Sequence, residues 1–341
     1  MHIAIKLYVL PALIIICLLA SWQGISVPPE GGNLVAAEIS APYLQTPGPV
    51  HIVSHTEPDI SGSYPDVSVT DQPLKDNGQA FTERWLAERL PATDLLGIPG
   101  MEMPVIVAIL DTGIETDHED LGDKVIEEIN LTDTEDVGDI HGHGTHIAGI
   151  ITANADNGFG IDGIAPDCRL FNVKVADDKG RVRTSVLAEG IRWSVEHGAD
   201  IINISIEIKE YSSLLEEAIN YAWDKGVVVI AAAGNEGSDI SVYPAGYENC
   251  ISVTALQDEA DLAPLANYGD WVDVAAPGYE IYSTLPCDKY GYKYGTSFAA
   301  AYISGLAAGL LPTAGDTNGD GKVNDEVRDQ ILSLCGFDIA N

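Results

Sequence analysis

Four polar residues, each at the end of an apolar stretch, have the types needed to hydrolyse an amide. Ser297 lies in Gly295-Thr296-Ser297-Phe298-Ala299-Ala300, ahead of Gly305 and a run of Ala and Leu to Leu311. The small residues let the backbone turn tightly into a helix and leave the Ser297 hydroxyl at the helix mouth, where N–H groups point outward. Alone, such a serine reads as an N-cap. Asp111 closes an apolar strand pattern, His143 opens a helix pattern in Gly142-His143-Gly144-Thr145-His146, and Asn235 follows another strand pattern. Serine attack on an amide needs a base for the hydroxyl proton, a carboxylate to orient that base, and donors for the oxyanion. Taken singly, each residue has a plainer reading: a turn aspartate before glycine, a surface or capping histidine, a left-handed asparagine. His141, His143 and His146 also have the look of a metal cluster. Zinc would need a fourth ligand and would occupy the nitrogen that the base needs, so no zinc is expected.

The elements that must position these residues follow from periodicity. Continuous apolar runs of strand length occupy residues 104–110, 170–175, 201–206, 227–232, 251–255 and 272–275, with amphipathic helix-length stretches at 185–197 and 212–225 between them. Strands that are apolar throughout and alternate with helices imply an α/β fold, a parallel sheet with helices on both faces. Ligands bind such sheets beyond the carboxyl ends of the strands, where Asp111 and Asn235 fall.

Seventeen Lys and Arg against 52 Asp and Glu give a net charge of −35, a field that repels nucleic acid and anionic membrane surfaces. Apolar residues make up 46% of the 341, ample for a buried core. Residues 1–26 read as a secretory signal, with Lys6 ahead of an apolar stretch over 7–20 and small residues in Gly24-Ile25-Ser26. The alternative is an uncleaved anchor; after cleavage no stable membrane insertion is expected, and the protein is secreted or extracytoplasmic. Residues 27–68, rich in Pro, Gly and Ser, read as a linker or short pro-segment. The folded body then spans 69–341, opening with a helical face at Phe81, Trp85, Leu86 and Leu90. Cys168, Cys250, Cys287 and Cys335 allow three disulfide pairings, with buried thiols as the alternative for the first two.

Asp111-Thr112-Gly113-Ile114, His143-Gly144-Thr145-His146-Ile147-Ala148-Gly149, Ala232-Ala233-Gly234-Asn235-Glu236-Gly237 and Gly295-Thr296-Ser297-Phe298-Ala299 resemble, in order, the four signature segments of the subtilisin-like serine peptidases. The resemblance runs from about residue 81 to the C-terminus. It implies a subtilisin-like sheet with Ser297 as nucleophile, His143 as base and then acid, Asp111 holding its tautomer, and Asn235 donating to the oxyanion. It also implies a substrate-binding strand through Ser205, Ile206 and Glu207, opposite Ala233 and Gly234. Glu207 stands where the family has glycine; it narrows the specificity pocket, sets a charge near it that favours small or basic side chains, or points to solvent. Ala301 replaces a customary proline.

Asp120, Asn157, Phe159 and Ile161 match the ligands of the family's structural calcium site, and hard oxygen donors suit that ion. Asp316, Asn318 and Asp320 resemble a calcium loop of EF-hand or dockerin type, but its twelfth position is Val327. The plainer reading is an acidic loop before a closing helix at 323–334. The function expected is an exported serine endopeptidase acting on proteins or peptides. The other readings are a catalytically weak binding or regulatory protein on the same fold, and a calcium-dependent assembly module. Oligomeric state is left open.

Overall fold

The computed structural model describes residues 104–259 and 261–336 together with Trp85, all within one unit spanning residues 47–341. The expected signal, the linker and the helical pattern over 81–90, Trp85 apart, lie outside the described residues. Trp85 itself is helical and buried in the larger core cluster.

Seven strands form one parallel sheet: β1 (Ile106–Asp111), β2 (Val125–Asn130), β3 (Arg169–Lys174), β4 (Ile201–Ile204), β5 (Val228–Ala232), β6 (Ile251–Leu256) and β7 (Val274–Pro277). Their order is β2-β3-β1-β4-β5-β6-β7. Side chains alternate between two cores, which is why these strands are apolar at every position. Along β1, Val107 and Ile109 belong to the core under α1 (His143–Thr152), α4 (Thr296–Leu310) and α5 (Asn324–Cys335). Ala108 and Leu110 face the opposite core, under α2 (Thr184–Glu196) and α3 (Ser213–Asp224).

β1 lies between β3 and β4, so the chain departs to opposite sides of it, and the crevice at such a switch point opens beyond the strand's carboxyl end. Asp111 is the last residue of β1, in register with Lys174.

Two elements departed from the periodicity. β2 was not expected, because Glu127 and Glu128 break its apolar run; as an edge strand it needs only one neighbour and tolerates exposed carboxylates. A two-stranded antiparallel hairpin, β8 (Ile281–Leu285) with β9 (Lys289–Lys293), was also missed. It packs on α1, where Ser283 Oγ and Thr284 Oγ1 donate to the carbonyls of His146 and Thr145 at 2.9 and 2.7 Å. The run expected over 201–206 leaves the sheet at Ile204 and ends in an isolated bridge between Ile208 and Tyr243.

All four described cysteines are free thiols, so none of the three pairings forms. Cys168, Cys250 and Cys335 are buried and Cys287 is exposed. Burial pushes the Cys168 thiol up to about 11, leaving it protonated and unreactive at neutral pH. Among the described residues no helix is long and apolar enough to cross a membrane.

Candidate active site

The site is assembled from the end of β1 and the first turns of two helices. Asp111 is buried, and His143 Nδ1 lies 2.8 Å from its Oδ1 and 3.0 Å from its Oδ2. Thr112 N–H donates to the same Oδ1 at 2.7 Å. Burial alone would raise the Asp111 pKa, but the His143 charge and hydrogen bond, with the Thr112 N–H, outweigh it and hold the carboxyl below its ordinary value. The carboxylate is therefore ionised, and an ionised acceptor keeps the imidazole proton on Nδ1. Nε2 is left as the basic nitrogen.

His143 is the first residue of α1, behind Gly142 in the left-handed conformation. Gly144 allows the helix to approach β1: a Cβ there would overlap the Gly113 carbonyl and lie 3.1 Å from Asp111 Cβ. The approach is locked by Asp139, a residue that the sequence reading missed. Its Oδ1 accepts from Thr112 Oγ1 and from Gly142 N–H, each at 2.8 Å. Its Oδ2 accepts from Thr145 N–H at 2.9 Å and Thr145 Oγ1 at 2.8 Å. Thr112 Oγ1 in turn accepts the Gly144 N–H at 3.1 Å. One carboxylate thus caps α1 and ties it to the Asp111 turn. An acid shortly before a helix start was its available signal. Asp139→Ala would orphan buried donors worth roughly 1–3 kcal/mol each. We expect a loss of about 3 kcal/mol in urea unfolding, and less for Asp139→Asn, which keeps one acceptor.

Lys174 was missed as well. It is fully buried, with Nζ bonded to the Thr112 carbonyl, to Gly138 O at 3.3 Å and to Asp178 Oδ1 at 3.1 Å. Its position at the end of an apolar strand hid it.

Ser297 is the second residue of α4, and the N-cap position is held by Gly295. The N-cap reading of Ser297 therefore fails. Ser297 is 1% exposed; its hydroxyl donates to Ser205 O at 3.4 Å, and Ser205 Oγ donates back to Ser297 O at 3.1 Å. A hydroxyl has one proton, so here it goes to Ser205 and not to the imidazole; catalytic hydrogen bonds commonly tighten only when substrate binds. The next residue, Phe298, places its ring 5.5 Å from that of His143 and 4.7 Å from that of His146. Asn235 Oδ1 accepts the Thr296 N–H at 2.9 Å, so its acceptor end is fixed and its amide nitrogen is the donor end. Ala301 is buried inside α4, which continues through it without interruption.

Of the three histidines, His143 faces Asp111, His141 sets its ring 6.2 Å from that of His143, and His146 is buried with Nε2 3.1 Å from Gly291 O, burial driving its pKa well below the ordinary value. Of the expected substrate residues, Ile206 and Ala233 are buried, and Gly234 donates its N–H to Thr296 Oγ1 at 3.0 Å. Glu207 is 4% exposed, which excludes its pointing to solvent.

Asp120, Asn157 and Ile161 come together through donors: Asn157 Nδ2 reaches Asp120 Oδ1 at 2.6 Å, and Ile161 N–H reaches Oδ2 at 3.1 Å. Phe159 N–H donates to Asn157 Oδ1 at 3.2 Å. In the C-terminal loop, Asp316 accepts the N–H groups of Gly319 and Gly321, at 2.6 and 3.0 Å. Asn318 and Asp320 accept those of Asp320 and Lys322, each at 2.9 Å. Glu326, not the twelfth residue, folds back to accept from Thr317 N–H at 2.7 Å; Val327 is on the buried face of α5. Among the described residues no group of three or more His, Cys, Asp or Glu is gathered as if for a metal ion.

The family model described as the subtilase family, Peptidase S8, matches residues 103–331. A thermophilic serine proteinase of Bacillus sp. (strain AK1) is 44% identical over 187 residues, 54% of this chain and 47% of that protein. Thermitase of Thermoactinomyces vulgaris is 41% identical over 185 residues, 54% of this chain and 66% of its own length. Subtilisin DY of Bacillus licheniformis is 39% identical over 191 residues, 54% of this chain and 69% of its own length. The chain therefore spans about half of the first of these relatives and just under two thirds of the second.

Proposed function

The chain belongs to the subtilase family, and from that premise we propose that it is an exported serine endopeptidase cleaving protein or peptide substrates through a seryl acyl-enzyme. The observation that carries this reading is the buried Asp111 carboxylate with both oxygens within 3.0 Å of His143 Nδ1, the His143 ring lying 5.5 Å from that of Phe298, the residue after Ser297.

In the proposed reaction Ser297 Oγ turns from Ser205 and attacks the scissile carbonyl, and its proton passes to His143 Nε2. Asp111 stabilises the imidazolium. The Ser297 N–H is in the first turn of α4, whose donors have no acceptor within the helix, and it meets the oxyanion with Asn235 Nδ2. Collapse breaks the C–N bond, and His143 delivers its proton to the leaving amine. A water then gives its proton to His143 and attacks the acyl carbonyl, and Ser297 Oγ recovers the proton as the acid product leaves.

A fluorophosphonate probe tests the reading: the folded protein is expected to label, and Ser297→Ala to remain unlabelled. Equal labelling of both would sink it. Asn235→Ala is expected to lower kcat by about 10²–10³-fold with little change in KM, the range known for one oxyanion donor in subtilisin. Steady-state kinetics on one peptide distinguishes this from a binding defect.

Subtilases commonly bind structural calcium. We place such an ion at Asp120, with Asn157 offering its oxygen once the amide turns over. Two features support it: the Asn157 side chain and the Ile161 backbone already meet at the Asp120 carboxylate, and burial raises the Asp120 pKa, a cost that a cation would offset. The ion's role is to hold the 157–161 loop. At about 100 times its Kd, calcium should add about 2.7 kcal/mol and so roughly 5–10 °C in Tm. Asp120→Asn should remove most of that shift in scanning calorimetry. A shift that survives Asp120→Asn but vanishes in Asp316→Asn moves the ion to the C-terminal loop.

A further inference from the structure

We propose that Glu207 and Glu236 form a cation-binding subsite beside Ser297, which takes the guanidinium or ammonium of an arginine or lysine on the acyl side of the scissile bond. The substrate assignment rests on the peptidase reading above; the subsite rests on its own geometry.

Glu207 lies two residues beyond Ser205, whose carbonyl is 3.4 Å from Ser297 Oγ. Across an extended backbone that is about 7 Å along the same segment. On the facing segment Glu236 is next to Asn235, and Gly234, with φ of 93°, is what lets the two carboxyls meet. A Cβ at Gly234 would overlap Glu207 Oε2, stand 2.5 Å from Asn267 Nδ2 and stand 3.2 Å from Glu236 Oε2. The pair therefore converges on one backbone position, one residue from the amide assigned to the oxyanion.

The two carboxyls are unequally provided for. Glu236 Oε2 accepts from Asn267 Nδ2 at 3.1 Å, and its Oε1 pairs with Lys209 Nζ at 3.2 Å. Both oxygens of Glu207 are buried without a hydrogen-bond partner; the Asn235 N–H and the Glu236 carboxyl lie near, but neither closes a bond of good geometry. Burying a carboxyl in this state is unfavourable, and a ligand carrying donors and positive charge would relieve it. A guanidinium's planar fork can serve two carboxylates together, and an ammonium can bridge them.

Burial first, then the neighbouring Glu236 carboxyl, push the Glu207 carboxyl up to about 8, so the empty subsite holds a proton. Entry of the cation releases that proton to solvent, and both carboxylates then face it. The charged groups facing Glu207 are Glu236 and Lys209, with Lys209 opposing the upward shift. Lys209 is bound to Glu236 on its exposed side and leaves Glu207 unserved.

The test uses peptides that differ only at the residue before the scissile bond, arginine against norleucine. For the wild type at pH 8.5, the ratio of kcat/KM is expected to favour arginine by at least about 30-fold, within the range of charge-assisted hydrogen bonds. The ratio should fall as the pH is lowered to 6.5, and it should approach one in Glu207→Gln. A wild-type ratio below about three, or one unchanged in Glu207→Gln, overturns the proposal and makes Glu207 a filler that shortens the pocket. The same peptides are titrated calorimetrically into Ser297→Ala, which keeps Glu207, in two buffers of different ionisation enthalpy at pH 7. Arginine peptide should bind at least tenfold tighter than norleucine peptide and release a proton; equal affinities overturn the subsite. Preferential binding with no cleavage of any peptide by the wild type upholds the subsite and overturns the peptidase reading.

Discussion

Ser297→Ala is expected to lower kcat by about 10⁶-fold while leaving KM and the fold nearly unchanged, a magnitude carried over from loss of the triad serine in subtilisin. The fold should survive because the hydroxyl contributes only a long 3.4 Å bond to Ser205 O, and alanine is the better helix former. The Ser205 Oγ bond to the Ser297 carbonyl does not involve the deleted atom. Activity is lost because nothing else in α4 puts a nucleophile there: Thr296 Oγ1 already accepts the Gly234 N–H. Progress curves at high enzyme concentration, with a calorimetric Tm on the same sample, check both halves. Residual activity above about one per cent would mean that another group attacks the carbonyl.

Asp111→Asn should be the next most damaging change, about 10⁴-fold in kcat, the scale set by a Ser-His-Asp triad whose carboxylate becomes an amide. The reason lies in two distances. His143 Nδ1 is 2.8 Å from one carboxylate oxygen and 3.0 Å from the other. Whichever way an asparagine amide is set, its NH2 comes within about that reach of Nδ1 and favours the imidazole tautomer with its proton on Nε2. The base then presents a proton to the hydroxyl instead of a lone pair. The pH dependence of stability should change as well. The folded Asp111 carboxyl sits below its ordinary value of 3.8, so its stabilisation is full above that value and is lost as the pH falls through the lower, folded value. Asp111→Asn removes this acid-side loss. Unfolding midpoints between pH 5 and 2 should therefore fall less steeply in the variant. A wild-type slope retained by the variant would assign the acid sensitivity to other carboxylates.

The sheet was legible because its strands are buried on both faces and read as unbroken apolar runs. β3, β5 and β6 fall within a residue of their expected bounds for that reason. β2 and the β8–β9 hairpin were not legible, since an edge strand bearing Glu127 and Glu128 and a hairpin rich in tyrosine lack such a run. The disulfide question was undecidable from a count of four cysteines. It turned on their positions: three are buried as thiols, and the fourth, Cys287, is at an exposed turn.

Ser297, His143, Asp111 and Asn235 were readable only together, because each has a plainer reading taken singly and it is the four segments in their order that point to one chemistry. That determined the chemistry the chain offers and the side of the sheet where it gathers. Asp139 and Lys174 were decided only by the tertiary structure: a buried carboxylate serving four donors and a buried ammonium on the Thr112 carbonyl are relations between distant segments. The same holds for Glu207. In the sequence it was an acid that narrowed a pocket, charged it or faced water. Folding buried it against Glu236 with both oxygens unserved, because Gly234 has no Cβ to keep the two carboxyls apart. Local pattern fixes which groups a segment carries, whereas the desolvation and partners that set their charge depend on which segments meet.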